Sequence, residues 1–243
     1  MALLEVLKLT KAFGGLIANN RINFSIDAGS IMGVIGPNGS GKSTLFNCIS
    51  GFHTPTSGRV LFGGRDIAGE PPHRICRLGL ARTFQIAEVF TRMTVLENVM
   101  VGAFKKDKGL GPAREMAMET LKLVGLAGKA GESGKALSPP ERRKLSFAMA
   151  LATGPQILML DEAMAGLLPS EVDELLFLIR EIKKKDVAVL VIEHVMDAVM
   201  SIAESILVLE AGRVIAQGTP QQIAANEQVI KAYLGEDFRH AAG

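Results

Sequence analysis

The sequence predicts an α/β fold: one large domain, strand-rich at its start, with a lobe of helices inserted in its middle. Three observations predict it. Ile31-Met32-Gly33-Val34-Ile35, Ile157-Leu158-Met159-Leu160 and Val187 to Ile192 are short, nearly unbroken apolar runs, the composition of buried strands. The first is followed by a glycine-rich loop and then a helical pattern. From Thr91 to about Ala130 the apolar spacing becomes that of helices.

The totals set limits. With 243 residues, 48% of them apolar, the chain can bury a sizeable core and is not disordered. No apolar run approaches the ~18 residues needed to cross a bilayer. Met1 to Lys8 carries a charge inside its apolar stretch and no cleavage site, which argues against a signal peptide. A net charge of +2 is too small to argue for nucleic acid. Cys48 and Cys76, the only cysteines, make neither a disulfide scaffold nor a zinc site and read as packing residues in a reducing cytosol.

In chain order, Leu3 to Leu9 and Arg21 to Ile26 read as strands of a small β subdomain. Between them lies Lys11-Ala12-Phe13-Gly14-Gly15. Phe13 is either a platform for a stacked adenine or an ordinary core or turn aromatic. Gly36-Pro37-Asn38-Gly39-Ser40-Gly41-Lys42-Ser43-Thr44 then fits the phosphate-binding pattern G-x-x-x-x-G-K-[ST] without a mismatch. Gly36, Gly39 and Gly41 let several backbone N–H groups point into one concavity, and the positive end of the next helix adds to that field. Lys42 would reach the β- and γ-phosphates of a nucleotide, and Ser43 would offer its hydroxyl to magnesium. A single copy of the loop means one nucleotide site per chain.

Leu45 to Ser50 is the helix, stopped at Gly51. Gly58 to Phe62 and Arg65 to Ile67 form a hairpin across Gly63-Gly64. Pro72 to Leu78 is a short helix opened by its proline. Leu80 to Phe84 is a strand ending at Gln85, which is either a plain loop glutamine or an amide within reach of magnesium or the attacking water. Thr94-Val95-Leu96-Glu97 has capping-box spacing and opens a helix to about Phe104. Lys105 to Gly109 reads as a solvated charged turn, and Ala113 to Val124 as a helix ended by Gly125. Ser138 and Glu141 repeat the capping-box spacing at the start of a helix to about Ala152. Pro139 and Pro140 are tolerated in its first turn, where N–H groups lack intrahelical partners.

Asp161 and Glu162 directly follow an apolar strand. Adjacent carboxylates there pack poorly without a cation or polar partner. Beside a phosphate loop they gain roles, Asp161 in a magnesium shell and Glu162 as general base for water. A helix follows from Pro169 to about Lys184, then the strand Val187 to Ile192, Glu193 and His194. His194 is either structural or a γ-phosphate contact. Ile206 to Leu209 and Arg213 to Gln217 form a hairpin, and two short helices, Pro220 to Ala224 and Glu227 to Leu234, close the chain.

The ordered set resembles the ATP-binding subunits of ABC transporters over essentially the whole chain. Phe13 matches the adenine-stacking aromatic, Gly36 to Thr44 Walker A, Gln85 the Q-loop, and Leu137-Ser138 the start of the signature. Ile157 to Glu162 matches Walker B and His194 the switch histidine. More narrowly, Ala81 to Gln85, Met93 to Asn98, Ala165-Gly166-Leu167, Ile192-Glu193-His194 and Ala232 to Gly235 are similar to the ATPases of branched-chain amino acid importers. The resemblance implies a P-loop NTPase core with a mainly parallel sheet and an antiparallel β subdomain (about 1–90 and 155–243). It also implies an inserted α-helical subdomain carrying the signature (about 91–154).

The resemblance implies ATP and Mg2+ as ligands, with Ser43, Gln85 and Asp161 on the metal. Lys42, Gln85, Glu162 and His194 would serve hydrolysis, and Ser138 would meet a partner's ATP. It further implies a cytoplasmic protein, peripheral on the inner face of the cell membrane. Its partners would be membrane permease subunits, a second ATPase subunit in a homo- or heterodimer, and a periplasmic solute-binding protein, with no nucleic acid. Residues around Gln85 to Asn98 would couple to the permease. The expected solute is a branched-chain or related amino acid. The alternatives are another small polar solute, such as urea or an amide, and a nucleotide-gated dimerisation module with weak hydrolysis.

Two departures from the family pattern matter. The usual signature L-S-G-G-Q is here Leu137-Ser138-Pro139-Pro140-Glu141. Prolines donate no N–H, and Glu141 is an anion where a neutral amide is usual. Leu168 stands where the family has Asp or Asn. The expectation is an asymmetric subunit, complete in its own Walker site and weak in the signature it offers a partner.

Overall fold

A computed structural model describes residues 2–84, 89–104, 109–193 and 195–233. The chain begins as a hairpin, β1 (Leu4–Phe13) and β2 (Leu16–Ile26), turned at Gly14-Gly15. With β4 (Ser57–Phe62) and β5 (Arg65–Asp66) it makes an antiparallel sheet in the order β2-β1-β4-β5. A six-stranded sheet is assembled from β3 (Ile31–Ile35), β6 (Leu80–Arg82), β7 (Ile157–Asp161), β8 (Ala188–Ile192), β9 (Ser205–Glu210) and β10 (Arg213–Gly218). Its order is β10-β9-β3-β8-β7-β6, and every pair is parallel except β10 with β9.

β3, β7 and β8 are buried at every position, which is why they read as unbroken apolar runs. Their side chains divide with period two. Met32, Val34, Ile157, Met159, Leu190 and Ile192 pack with the antiparallel sheet and with α1 (Lys42–Ile49). Ile31, Leu158, Leu160, Val189 and Val191 pack with the helical lobe and with α6 (Pro169–Lys183). The lobe consists of α3 (Val95–Ala103), α4 (Leu110–Leu123) and α5 (Pro139–Ala152). α2 (Pro72–Leu78) and α8 (Pro220–Ala224) have the expected bounds, and residues 227–233 are helical.

Several boundaries differ from the sequence reading. β1 runs on to Phe13, so this aromatic ends a strand instead of sitting in the turn. β6 stops at Arg82, and α4 starts at Leu110. α7 (Met196–Ile202) was not expected: it has no side-chain N-cap, and only packing reveals it, since a Cβ on Gly33 would lie 2.5 Å from its Val199. Cys48 is buried on α1, where desolvation pushes its thiol up to about 11; Cys76 is half-buried, and neither is in a disulfide. The expected turn at Lys105 to Lys108 and the chain from Leu234 onward lie outside the described residues. No helix among the described residues is long and apolar enough to cross a membrane.

Candidate functional site

The glycine loop follows β3 and opens into α1. Two of its glycines are required by close backbone approach as well as by φ. A Cβ on Gly36 (φ 152°) would sit 2.1 Å from the Leu209 carbonyl, and one on Gly41 (φ 102°) 2.3 Å from the Ala18 carbonyl. Neighbouring segments brace the loop. Asn19 Nδ2 donates to the Gly41 carbonyl at 3.0 Å, and the Gly212 N–H donates to the Ser40 carbonyl at 3.0 Å. Pro37 is half-buried, whereas Asn38 and Gly39 stand exposed at the rim. Ser40 is buried, and its hydroxyl has no hydrogen-bond partner among the described residues. Lys42 Nζ reaches back over the loop to the carbonyls of Gly36 at 2.6 Å and Pro37 at 2.9 Å. Ser43 is exposed at the start of α1, followed by half-buried Thr44. A buried orphan hydroxyl and a lysine amine folded onto a ring of backbone are features that fit a polyanionic phosphate chain.

The carboxylates lie at the same sheet edge. β8 separates β3 from β7, and Ile192 pairs in register with Val34 on one side and Asp161 on the other. The backbones at the loop's entrance and at Asp161 are therefore about 10 Å apart, two strand spacings. Asp161 Oδ2 accepts from Arg82 Nη2 at 2.6 Å, while its Oδ1 takes no hydrogen bond from a described residue. Glu162 is half-buried, its backbone left-handed (φ 49°) and its N–H bonded to the Ile192 carbonyl at 2.9 Å. A non-glycine residue rarely adopts that conformation, and it marks a strained backbone where the chain leaves the strand. The turn that follows is anchored by buried Glu193, whose Oε1 accepts the Met164 N–H at 2.7 Å, and by Arg143 of α5, which donates to the Ala165 carbonyl at 2.9 Å. The donors available to a cation here are hard oxygens, the Ser43 hydroxyl and Asp161 Oδ1. Among the described residues no cluster of three His, Cys, Asp or Glu side chains forms a metal cage.

Phe13 is not a core residue. It is 45% exposed at the end of β1, edge-on to His53 at 5.4 Å, with Lys11 Nζ 4.8 Å from its ring centre. Ser138 caps α5 in the helical lobe, where both its N–H and its hydroxyl donate to Glu141 Oε2 at 2.9 Å. Lys129 Nζ lies 2.7 Å from the other Glu141 oxygen. That amine, together with the Ser138 N–H, holds the Glu141 carboxyl down at about 2. The structure thus gathers the loop, Lys42, Asp161 and Glu162 at one edge and carries Ser138 on a separate element. Gln85 and His194 lie outside the described residues.

Sequence reasoning gave no role to Arg82 or Asn47. Arg82 was legible only as part of Ala81-Arg82-Thr83-Phe84-Gln85, and nothing in one dimension says that its partner is Asp161.

Comparison with known proteins agrees with this architecture. The model of the ABC transporter family matches residues 19–165, and that of the branched-chain amino acid ATP-binding cassette transporter matches residues 213–239. The chain is 43% identical to the high-affinity branched-chain amino acid transport ATP-binding protein BraF of Pseudomonas aeruginosa, covering 96% of this chain and 98% of that one. With LivG of Escherichia coli, a protein of the same description, the identity is 40% over the same shares. A solved ATP-binding cassette of an ABC transporter in its ADP conformation superposes with a TM-score of 0.84 at 29% identity, covering 97% of this chain and 99% of that one. The chain belongs to the ABC-transporter family of nucleotide-binding ATPases, in the branch of the branched-chain amino acid transport ATP-binding proteins.

Proposed function

We propose that this chain powers import of a branched-chain or related amino acid by binding and hydrolysing MgATP at the edge of its parallel sheet. One observation carries the reading: the phosphate loop and the Asp161-Glu162 pair leave that sheet at the same end, with one strand, β8, between them. Lys42 would exchange its two carbonyl partners for phosphate oxygens. Exposed Phe13 would stack on the base. Ser43 and Asp161 would hold magnesium, with Gln85 as a third ligand; the ion, when bound, neutralises charge developing on the transferred phosphate. Glu162 would accept the proton of the attacking water, and His194 would contact the γ-phosphate.

Two such chains, alike or different, would close around two ATP molecules, with residues 91–154 as the lobe that presents Ser138. A groove of about 520 Å³ between that lobe and α6 includes Phe84 and Phe177, both exposed, and suits an apolar segment of a membrane permease. The coupling surface would therefore centre on this groove more than on Asn98, which is fully buried. In this reading the protein sits on the cytoplasmic face of the membrane, and a separate binding protein delivers the solute. The solute assignment rests on what the relatives are named for.

The test is Glu162→Gln. Turnover should fall by about 10²-fold or more, as when a general base is lost, while ATP binding persists and dimers accumulate with ATP trapped. Unchanged turnover would refute the enzymatic assignment. It would favour a nucleotide-gated dimerisation module, the reading that the proline-containing signature supports.

A further inference from the structure

Arg82 is the last residue of β6, and its side chain is 8% exposed. Its guanidinium donates from Nη2 to Asp161 Oδ2 at 2.6 Å, and from Nη1 to Asn47 Oδ1 at 2.7 Å and Ser50 Oγ at 2.9 Å. Three phenyl rings surround it, with centres 5.8 Å (Phe46), 5.6 Å (Phe52) and 5.3 Å (Phe84) from its central carbon. Burying a guanidinium is costly, and a residue that only filled space here would be apolar. The planar fork instead joins three elements at once. Phe46 and Asn47 lie on α1, the helix that starts at Lys42, and Ser50 is its C-cap. Asp161 ends β7, and Phe84 leads out of β6.

We propose that Arg82 is a positioning residue for the divalent cation. By taking Oδ2, it fixes the rotation of the Asp161 carboxylate and leaves Oδ1 as the oxygen that meets the ion. By gripping Asn47 and Ser50, it holds α1, and with it Ser43, at a set distance from that oxygen. Two effects oppose each other. The positive charge of Arg82 weakens the attraction of Asp161 for a cation. The fixed geometry removes the cost of ordering two ligands from different elements. Geometry wins, because without Arg82 the Asp161 carboxylate would lose its hydrogen-bond partner among the described residues and turn freely, and Asn47 Oδ1 and Ser50 Oγ would lose the guanidinium that ties α1 to it. The inference rests on the proposed MgATP site.

The experiment compares Arg82→Met, Arg82→Lys and the double variant Asn47→Ala/Ser50→Ala, each in the full chain with Glu162→Gln to stop turnover. Manganese binding to the ATP-loaded protein is read by electron paramagnetic resonance. ATP affinity is read separately in EDTA with a fluorescent ATP analogue. Arg82→Met should weaken manganese binding about 10-fold, as loss of a metal's outer-shell partner does, with ATP affinity in EDTA changed less than about 2-fold. Arg82→Lys should recover only part, since an ammonium cannot span three acceptors as the fork does. The double variant keeps the charge, so an intermediate loss of manganese affinity tests positioning even where Arg82→Met fails to fold. Unchanged or tighter manganese binding in either the Met or the double variant would overturn the proposal, as would an equal loss of ATP affinity in EDTA. The parent reading fails in a different way: Asp161→Asn with Arg82 intact would then leave manganese binding unaltered.

Discussion

Glu141 serves the start of its own helix, at the expense of the intermolecular role proposed for Ser138. Its carboxylate takes the Ser138 N–H, the Ser138 hydroxyl and the Lys129 amine, so the hydroxyl that the proposed dimer would offer to a neighbour's nucleotide is engaged within the chain. The carboxyl is held down at about 2. Because its folded value lies below its ordinary one, the stabilisation is fully present above the ordinary carboxylate range. It is lost as pH falls through about 2. Glu141→Gln should therefore lower stability at pH 7 by about 1 kcal/mol or less, since water screens this partly exposed pair. In urea melts, the gap between variant and parent should close as pH drops below the usual carboxylate range.

At the scale of elements, α3 depends on a buried amide. Its N-cap Thr94 and Glu97 form the reciprocal box that the sequence predicts, and the two Thr94 hydrogen bonds hold the Glu97 carboxyl below its usual range. Asn98 adds what no cap spacing reveals. Fully buried, it accepts the Phe90 N–H at 2.7 Å and donates to the carbonyls of Phe90 at 3.0 Å and Thr94 at 2.9 Å. It thereby ties the segment entering the helical lobe to the lobe itself. Asn98→Ala would leave the Phe90 N–H without its acceptor, while the Phe90 and Thr94 carbonyls keep the Met93 and Asn98 N–H groups, at a cost of about 1–3 kcal/mol in chemical denaturation. α6 has only half of such a box: Glu171 Oε2 accepts the Leu168 N–H at 2.9 Å, and since the Leu168 side chain has no oxygen, the Glu171 N–H bonds to the Leu168 carbonyl at 2.9 Å instead.

For the molecule as a whole, the expected asymmetry would lie between two regions. One carries the loop, Asp161 and Glu162. The other carries α5, whose first two helical residues are prolines and whose cap hydroxyl is engaged within the chain. Paired with a different ATPase that has an intact signature, this chain's nucleotide should be hydrolysed faster than in the chain alone. Pro139→Gly/Pro140→Gly/Glu141→Gln should raise turnover of the unpaired chain by about 10-fold or more, the scale of restored anion-stabilising donors. Steady-state phosphate release, with and without the partner, measures both. Equal rates alone and paired would remove the asymmetry.

Much of this protein is local and was legible in one dimension. A phosphate loop is a contiguous run whose glycines answer to short-range sterics, buried parallel strands declare themselves by unbroken apolar composition, and caps by three-residue spacing. Lys42, Asp161 and Glu162 could be singled out as candidates because their immediate neighbours along the chain carry the motif, whereas the sequence left Phe13 open between a base platform and an ordinary aromatic. Strand order could not be read, because β3 pairs with β8, more than a hundred residues further along the chain, and nothing local names that partner. Neither could α7, formed by packing against Gly33, nor the partner of Arg82, 79 residues away. Side-chain identity states which bonds a residue is able to make; burial and approach in three dimensions choose among them.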